Sequence, residues 1–450
     1  MTGGAEIAVA LAGTGAVVSP AGPPDSVGRV EPLCVASPAT LDQAAGVLQA
    51  AAGLDMAVVP RGSGSTISWG PPPTRCDVIA DLTRMNRVLE YAPGDLVVQA
   101  QAGVTLGQLA EVLAGKGQRL ALDGPPGATV GGVVAANAAG PLRLRYGLPR
   151  DLLIGITIVR PDGHVAKAGG KVVKNVAGYD LGKLFAGSHG TLGLIVAATF
   201  RLHPLAELSA YVTEEYHDSA PAAEAVLAAA ASPLQPSAVE LDRPHAGGPI
   251  RVATLLEGTP AGASARAERM RTTLGRGAQT ALVPPDWWGR IGEAAPGPAG
   301  GPSGGPTAGT AGGTRGGTLV RVAFWAAELR QVLDAIDTVA SDTGVRPSVG
   351  GAAGAGVLYA LLPADQDPEQ VAMFVRALRA ATGHGGGRQD TGAAAGALAR
   401  GSVVVLTAPP AVQERVDLWG PVPSLGLMRA VKQQFDPGNL MAPGRGPGGI

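Results

Sequence analysis

Apolar residues recur along the first 200 positions with spacings that alternate between helical and extended periods. After Thr40, apolar side chains recur every three to four residues, and Gln43 completes the pattern of a capping box. Thr105 likewise precedes a run with leucines on one face. We therefore predict helices over residues 40–52 and 105–113.

Short apolar runs in the same region predict strands. A hairpin is expected around Asp162-Gly163, because this dipeptide favours a tight two-residue turn between two apolar segments. The predicted strands are residues 57–60, 77–82, 97–102, 153–159, 164–168 and 194–202. Together these elements predict an α+β module of about 180 residues.

The pattern changes after about Pro204 and becomes two successive strand–helix–strand stretches. The predicted strands are residues 209–216, 250–256, 319–324, 357–362 and 402–406, and the predicted helices are residues 220–231, 263–274, 326–340 and 368–381. We expect a second α+β domain with helices packed on one antiparallel sheet. Between its halves, residues 294–317 hold almost no large apolar side chain, which predicts a disordered insert.

Composition narrows the function classes. The chain has 450 residues, of which 46% are hydrophobic and 16% charged, and its net charge of −1 gives no field that favours nucleic acid. Two cysteines, Cys34 and Cys76, share no metal-ligand spacing, so we expect neither an iron–sulfur cluster nor a zinc site. The first 27 residues lack a basic signal-peptide start and are expected to be disordered. No apolar run is long enough to span a bilayer, so we expect a cytoplasmic protein.

A Gly-alternating turn follows the first apolar strand, at residues 59–66 (VPRGSGST). Successive glycines expose backbone N–H groups, which can cradle a pyrophosphate, because no side chain keeps the phosphate away. The segment is neither a GxGxxG dinucleotide fingerprint nor a Walker loop. By itself it is equally typical of an ordinary tight turn.

Two further Gly-rich segments follow. Residues 123–132 (DGPPGATVGG) lead into the small-residue run 135–140 (AANAAG), which admits a planar ligand or packs as a tight Ala/Gly helix. Residues 171–181 (KVVKNVAGYDL) precede residues 187–195 (GSHGTLGLI), which enter a strand. Three such turns within about 140 residues favour one shared ligand over three unrelated tight turns.

These three turns, in this order and spacing, resemble the FAD-binding domain of the vanillyl-alcohol-oxidase/PCMH flavoproteins. Residues 174–181 (KNVAGYDL), 431–437 (VKQQFDP) and 443–445 (PGR) are similar to the E subunit (GlcE type) of bacterial glycolate oxidase. The resemblance implies an α+β fold with a two-part FAD-binding PCMH-type domain at 28–206 and a ferredoxin-like cap domain at 207–422. It also implies a C-terminal segment, residues 423–450, that returns to the FAD domain.

The resemblance also implies a role for each turn. Residues 60–66 would wrap the FAD pyrophosphate, residues 123–129 and 136–139 would line the cofactor channel, and residues 189–195 would bind through backbone groups. Ser65 stands where some relatives carry the histidine that bonds to the flavin, so we expect noncovalent attachment. The predicted cofactor-binding residues are Pro60, Arg61, Gly62, Ser63, Gly64, Ser65, Thr66, Asp123, Pro126, Gly127, Ala128, Thr129, Gly131, Gly132, Asn137, Ala138, His189, Gly190, Thr191, Leu192, Gly193 and Ile195.

Catalytic and metal residues are not assigned by the sequence. Relatives that oxidise 2-hydroxy acids use a His-rich metal motif, whereas the six histidines here include no closely spaced pair. His384 and Arg388 lie in a Gly-rich loop, and Arg388, Arg346 and Arg321 are each candidates to bind a carboxylate.

Three interpretations remain open. In the first interpretation, the chain is an FAD-bearing subunit that works with a homologous flavoprotein and an iron–sulfur subunit in glycolate oxidation. It would then contact the inner face of the membrane only through these partners. Alternatively, it is a self-sufficient FAD-dependent dehydrogenase or oxidase of a small hydroxy acid or alcohol. The third interpretation is a flavin-fold scaffold without catalysis.

Overall fold

The computed structural model describes residues 4–170, 180–290, 317–383 and 401–450. The predicted insert at 294–317 lies outside the described residues except for residue 317. Residues 171–179 of the third motif, His384 and Arg388 also lie outside them.

The N-terminal sheet has four strands in the order β1-β2-β4-β3, with β1 antiparallel to β2 and the other pairs parallel. Its strands are β1 (Val17–Pro20), β2 (Cys34–Ser37), β3 (Val58–Arg61) and β4 (Val78–Asp81). The predicted first helix is confirmed as Leu41–Gly53, and the Thr40 side chain accepts a hydrogen bond from the Gln43 backbone N–H.

The expectation of disorder at the N-terminus is wrong for its described part. Residues Gly4–Ala12 form a helix, and β1 pairs with β2. The side chains of Ile7 and Leu11 are buried in the core that this sheet shares with the helix Leu41–Gly53. The N-terminal helix ends at Ala12, and Gly15 in the turn after it adopts a φ of 79°, which residues with a side chain rarely reach. This turn therefore ends the helix, and the chain continues into β1.

The second sheet has five antiparallel strands in the order β5-β6-β10-β8-β9. With the short strand β7 and its partner β11, these strands are β5 (Val88–Ala92), β6 (Val97–Gln101), β7 (Gln118–Arg119), β8 (Leu153–Val159), β9 (Val165–Gly169), β10 (Leu194–Arg201) and β11 (His203–Pro204). The predicted hairpin is confirmed as β8 and β9. Its helices are Leu106–Ala114, Val130–Ala136, Arg143–Tyr146, Pro149–Leu152 and Leu181–Phe185.

The cap domain is one eight-stranded antiparallel sheet, in the order β15-β12-β14-β13-β17-β18-β16-β19. Its strands are β12 (Leu208–Tyr216), β13 (Ala238–Arg243), β14 (Ile250–Gly258), β15 (Gln279–Ala281), β16 (Thr318–Ala323), β17 (Ser348–Gly351), β18 (Val357–Leu362) and β19 (Ser402–Thr407). Four helices cover one face of the sheet: Ser219–Ala230, Pro260–Leu274, Leu329–Thr343 and Pro368–Ala381. The cap is thus two ferredoxin-like halves joined edge to edge by β13 and β17.

The uncovered face of the cap sheet lies against the FAD-domain side of the molecule. Arg119 of β7 binds Glu257 of β14 through two hydrogen bonds of 2.6 and 2.7 Å, and both side chains are largely buried. Trp69 and Trp419 pack on apolar residues of β16, β18 and β19.

The C-terminal segment contains the helix Leu425–Phe435 and then adds to the N-terminal sheet, where Met441 pairs with Val58. Among the described residues, no helix is long and apolar enough to cross a membrane.

Candidate functional site

A cleft of about 690 Å³ opens where β3, β4 and β6 end and β10 begins. This volume includes space that is open to solvent, so the feature is an open cleft. The lining residues are Pro60, Arg61, Gly62, Gly64, Ser65, Thr66, Ile67, Leu82, Ala102, Thr129, Gly131, Gly132, Ala135, Ala136, His189, Gly190, Gly193, Ile195 and Arg445.

All three Gly-rich motifs meet in this cleft, and glycine is what allows them to meet. A Cβ on Gly62 would lie 1.9 Å from Thr129 Oγ1, and one on Gly190 would lie 3.0 Å from Pro60 Cδ. Contacts this short force neighbouring atoms to move, so a larger residue would separate the first motif from the second and third. The structure therefore brings together segments that are up to about 130 positions apart in the chain.

The second motif begins the short helix Val130–Ala136, which includes only the first two residues of the small-residue run 135–140; Ala135 and Ala136 line the cleft, and the helix ends where Asn137 turns left-handed. The Gly131 N–H donates to Ala102 O at 2.8 Å, which holds the helix against the end of β6. A Cβ on Gly131 would lie 2.7 Å from Ala102 Cβ. Small side chains here leave one wall of the cleft flat, as a planar ligand requires.

His189 of the third motif is an uncharged wall of the cleft. Its backbone is left-handed, with φ at 52°, and its N–H donates to Ala135 O at 2.9 Å. Burial, together with the positive charges of Arg445 and Arg321, lowers the imidazole pKa to about 3. The ring stacks edge-on against Trp419, with centroids 5.3 Å apart.

The other predicted residues of the three motifs shape the loops without lining the cleft. They are Ser63, Asp123, Pro126, Gly127, Ala128, Asn137, Ala138, Thr191 and Leu192. Asp123 accepts a 2.7 Å hydrogen bond from the Leu142 N–H, and burial raises its carboxyl pKa to about 7. The Arg61 guanidinium binds Asp25 and Asp81, so Arg61 offers the cleft only its backbone and its aliphatic stem.

Arg445 brings a guanidinium to the cleft, and sequence reasoning names this residue only as part of the similar tail 443–445. Its Nη2 donates to Ile67 O and Trp69 O, both at 2.7 Å, which fixes the guanidinium beside the first motif. Burial lowers its pKa to about 10, so it stays positively charged near neutrality. Its Nε is buried and has no hydrogen-bond partner among the described residues.

These features fit a dinucleotide with a central pyrophosphate. The glycine turns give close access to the backbone, Arg445 offers a positive charge with a spare donor, and the Ala/Gly wall is flat. Ser65 lines the cleft, and a hydroxyl cannot form the linkage that a histidine would form there.

Two further arginines lie close to each other at the uncovered face of the cap sheet: Arg321 is on β16 of the cap, and Arg143 is on the short helix Arg143–Tyr146 of the FAD-domain side. Arg321 lies between Leu319 and Ala323, whose side chains pack on that face, and it pairs across the sheet with Tyr359. Burial lowers the pKa of the Arg143 guanidinium, and the like charge of Arg321 lowers it further, whereas Tyr359 acts in the opposite direction. Neither Arg143 nor Arg321 has a side-chain ion pair or hydrogen bond within the described part of the chain. In contrast, Arg346 is exposed and pairs with Asp365.

Comparison with known proteins supports the cofactor assignment. Residues 32–169 match the model of a family described as FAD binding domain, so this part of the chain is an FAD binding domain. The glycolate oxidase subunit GlcD of Bacillus subtilis is 33% identical over 220 residues, which cover 47% of this chain and 46% of that protein. The D-lactate dehydrogenase of Archaeoglobus fulgidus is 36% identical over 177 residues, covering 39% of each. The chain therefore matches about half or less of the length of these curated relatives.

Solved structures confirm the fold expected from the sequence. Substrate-bound p-cresol methylhydroxylase superposes with a TM-score of 0.64 at 17% identity, covering 92% of this chain and 88% of that one. Chitooligosaccharide oxidase superposes with a TM-score of 0.62 at 17% identity, covering 96% and 97%. The predicted α+β fold is thus confirmed, whereas the finer resemblance to the E subunit of glycolate oxidase stays a prediction.

Proposed function

We propose that this chain, whose residues 32–169 form an FAD binding domain, holds FAD noncovalently and serves the oxidation of a small 2-hydroxy acid to its 2-oxo acid. We further propose that it does so as the FAD-bearing subunit of a glycolate oxidase-like assembly. The names of its relatives, a glycolate oxidase subunit and D-lactate dehydrogenases, support this substrate class.

The observation that carries the substrate class is the pair formed by Arg321 of the cap sheet and Arg143 of the helix Arg143–Tyr146, which interact with each other. The two guanidinium groups repel each other, and among the described residues neither contacts a carboxylate at hydrogen-bond or ion-pair distance, although Asp151 lies close enough to raise the pKa of Arg143. Such a pair favours the binding of an anion. A guanidinium matches a carboxylate through two parallel hydrogen bonds. Arg321 and Arg143 would therefore bind the substrate carboxylate, with the Tyr359 hydroxyl as a further donor.

The chain's own groups can then orient the substrate. FAD held in the cleft by the Gly-rich turns and Arg445 would supply the chemistry of a hydride acceptor for the carbinol carbon. The uncharged His189 imidazole has one ring nitrogen free to accept a hydrogen bond from the substrate hydroxyl. Because its pKa is near 3, His189 does not retain the hydroxyl proton, which passes to water as the carbonyl forms.

The proposal of partner subunits rests on the path by which electrons would leave the flavin. The chain has two cysteines, Cys34 and Cys76, and both are buried and free. An iron–sulfur centre that receives electrons would therefore belong to another chain, which fits an assembly with a homologous flavoprotein and an iron–sulfur subunit.

Purification of the chain alone, expressed with ample flavin, tests the proposal. We expect a yellow protein whose flavin absorbance is bleached by glycolate or D-lactate slowly or only when partner subunits are added. A colourless protein would refute FAD binding. Fast bleaching without partner subunits would show a self-sufficient dehydrogenase. A yellow protein that no hydroxy acid bleaches, with or without partner subunits, would support the interpretation as a scaffold without catalysis.

A further inference from the structure

The short helix Arg143–Tyr146 joins the FAD domain to the cap. It lies in the chain between the second Gly-rich motif and β8, and its Leu144 side chain packs against the apolar core of the cap. Its first residue, Arg143, lies close enough to Arg321 and Tyr359 of the cap sheet for their charges to affect its pKa. A group that fixes this helix therefore also fixes one of the two proposed anchors for the substrate carboxylate.

Asp123 holds the chain immediately before this helix. Its Oδ2 accepts a hydrogen bond from the Leu142 N–H at 2.7 Å. Gly140 packs directly on the same side chain, since a Cβ on Gly140 would lie 2.7 Å from Asp123 Cβ and 3.1 Å from its Oδ2. The Asp123 carboxyl therefore contacts both Gly140 and Leu142, and it leaves the backbone that leads into Arg143 little freedom.

The other end of the helix is held by an ion pair between the two domains. Arg119 Nη2 donates to the Tyr146 hydroxyl at 2.9 Å, and the same guanidinium binds Glu257 of β14. The Tyr146 ring also lies edge-on against His203, with ring centroids 4.7 Å apart, and His203 is directly opposite Arg119 in the pair of β7 and β11. Both ends of the helix are therefore anchored, and Asp123 is the anchor nearer to Arg143.

The Arg143 side chain depends on this backbone for its position. Its guanidinium makes no hydrogen bond or ion pair with any residue that the structure describes, and the like charge of Arg321 repels it. No partner of its own therefore holds the guanidinium against this repulsion. A misplacement of about 1 Å in a substrate-binding group is enough to lower a rate about 100-fold.

We propose that Asp123 is a positioning residue, which holds Arg143 where it can bind the substrate carboxylate. This inference rests on the proposed function, because it takes Arg143 as an anchor for that carboxylate. Asp123 does not line the cleft, and it acts on the substrate only through the Leu142 N–H and the helix that follows. The second Gly-rich motif thus has two tasks: its glycines let the cofactor approach, and its first residue sets the substrate anchor.

Titration of the FAD-loaded protein with glyoxylate, the product of glycolate oxidation, tests the inference through the shift in flavin absorbance. We expect Asp123→Leu to weaken glyoxylate binding about tenfold or more, because the Leu142 N–H loses its acceptor. Asp123→Asn keeps an oxygen for this N–H and should bind glyoxylate within about threefold of the wild type. Asp162→Leu is the matched control, since Asp162 accepts the His164 N–H at 3.0 Å in the hairpin of β8 and β9 and should leave binding unchanged.

Steady-state kinetics separates positioning from a loss of folded protein. With rates expressed per bound flavin, and with partner subunits where these are required, Asp123→Leu should raise KM for glycolate more than it lowers kcat. Arg143→Met should cause the same change, and the double variant should be little worse than either single variant. If Asp123→Leu does not fold, Gly140→Ala takes its place, because the added Cβ displaces Asp123 without removing its carboxyl.

The outcomes distinguish the inference from the proposed function. Equal glyoxylate affinity of the wild type and Asp123→Leu would overturn the inference and leave the proposed function intact. A loss that Asp123→Asn does not recover, or fully additive losses in the double variant, would also overturn it. A wild-type protein that binds FAD but neither binds glyoxylate nor oxidises glycolate would instead refute the proposed function, and the inference with it.

Discussion

Lys432 and Asp436 form a buried ion pair in which Lys432 Nζ lies 2.7 Å from Asp436 Oδ2. The same ammonium donates to Thr191 O at 2.8 Å and to Met441 O at 2.9 Å. The carboxylate in turn accepts hydrogen bonds from the backbone N–H groups of Leu440 and Met441. A single pair therefore joins the C-terminal segment to the third Gly-rich motif.

We predict that Lys432→Met lowers the free energy of unfolding by about 3–5 kcal/mol, because it leaves the Asp436 carboxylate buried without its counter-charge. Urea denaturation measures the change. Lys183→Met is the matched control, since Lys183 forms an exposed pair with Asp180 and should cost at most about 1 kcal/mol. Equal losses in the two variants would contradict a structural role for the buried pair.

Gly62→Ala should weaken FAD binding about tenfold or more, because the added Cβ lies 1.9 Å from Thr129 Oγ1 and separates two walls of the cleft. Gly127→Ala provides the control, since Gly127 belongs to the second motif, has no atom within 4 Å of the added Cβ and does not line the cleft. Each variant is freed of flavin by unfolding and then refolded, and titration with FAD followed by flavin fluorescence gives its dissociation constant. If the two variants bind FAD equally well, the close approach at Gly62 is not needed for binding.

Acid precipitation should release the flavin into the supernatant, since Ser65 lines the cleft and its hydroxyl forms no covalent bond to the isoalloxazine ring. The absorbance of pellet and supernatant after treatment with trichloroacetic acid measures the outcome. Colour that remains in the washed pellet would show a covalent linkage and disprove this expectation.

Arg321→Met should lower kcat/KM for a 2-hydroxy acid by about 10–100-fold, the range for losing a charge-assisted hydrogen bond of about 1.5–3 kcal/mol. Arg321→Lys should recover only part of the loss, because an ammonium lacks the paired donors of a guanidinium. Arg346→Met is the control for the loss of a cap arginine, because Arg346 is exposed and pairs with Asp365. Similar kinetics of the Arg321 and Arg346 variants, at equal flavin content, would remove Arg321 from the substrate site.

Asp123 should make stability depend on pH. Burial raises its carboxyl pKa from 3.8 to about 7, so the protonated carboxyl stabilises the folded state below about pH 4. That contribution is lost as the pH rises toward 7. Asp123→Asn keeps an oxygen to accept from the Leu142 N–H, and should flatten the difference in unfolding free energy between pH 4 and 7. Parallel pH profiles of wild type and variant would show that Asp123 is not the responsible group.

The sequence by itself determined the features that depend on neighbours a few positions away. The helix caps at Thr40 and Thr105, the hairpin of β8 and β9 and the Gly-rich turns follow from local hydrogen bonding and backbone freedom. The order and spacing of those turns also resemble a known family of FAD-binding flavoproteins, and that resemblance predicted the FAD-binding fold.

The tertiary structure decided the features that depend on distant partners. Arg445 contacts Ile67 and Trp69 nearly 380 positions away, which no local pattern encodes. Strand register places Arg321 opposite Tyr359, whereas Arg346 is exposed and pairs with Asp365, and the choice between these candidates for a carboxylate stays a proposal. Burial against the helix Leu41–Gly53 orders an N-terminal segment whose sequence predicts disorder. In each case the stabilising contacts join groups that come together only when the chain folds. Spacing along the sequence therefore does not predict these contacts.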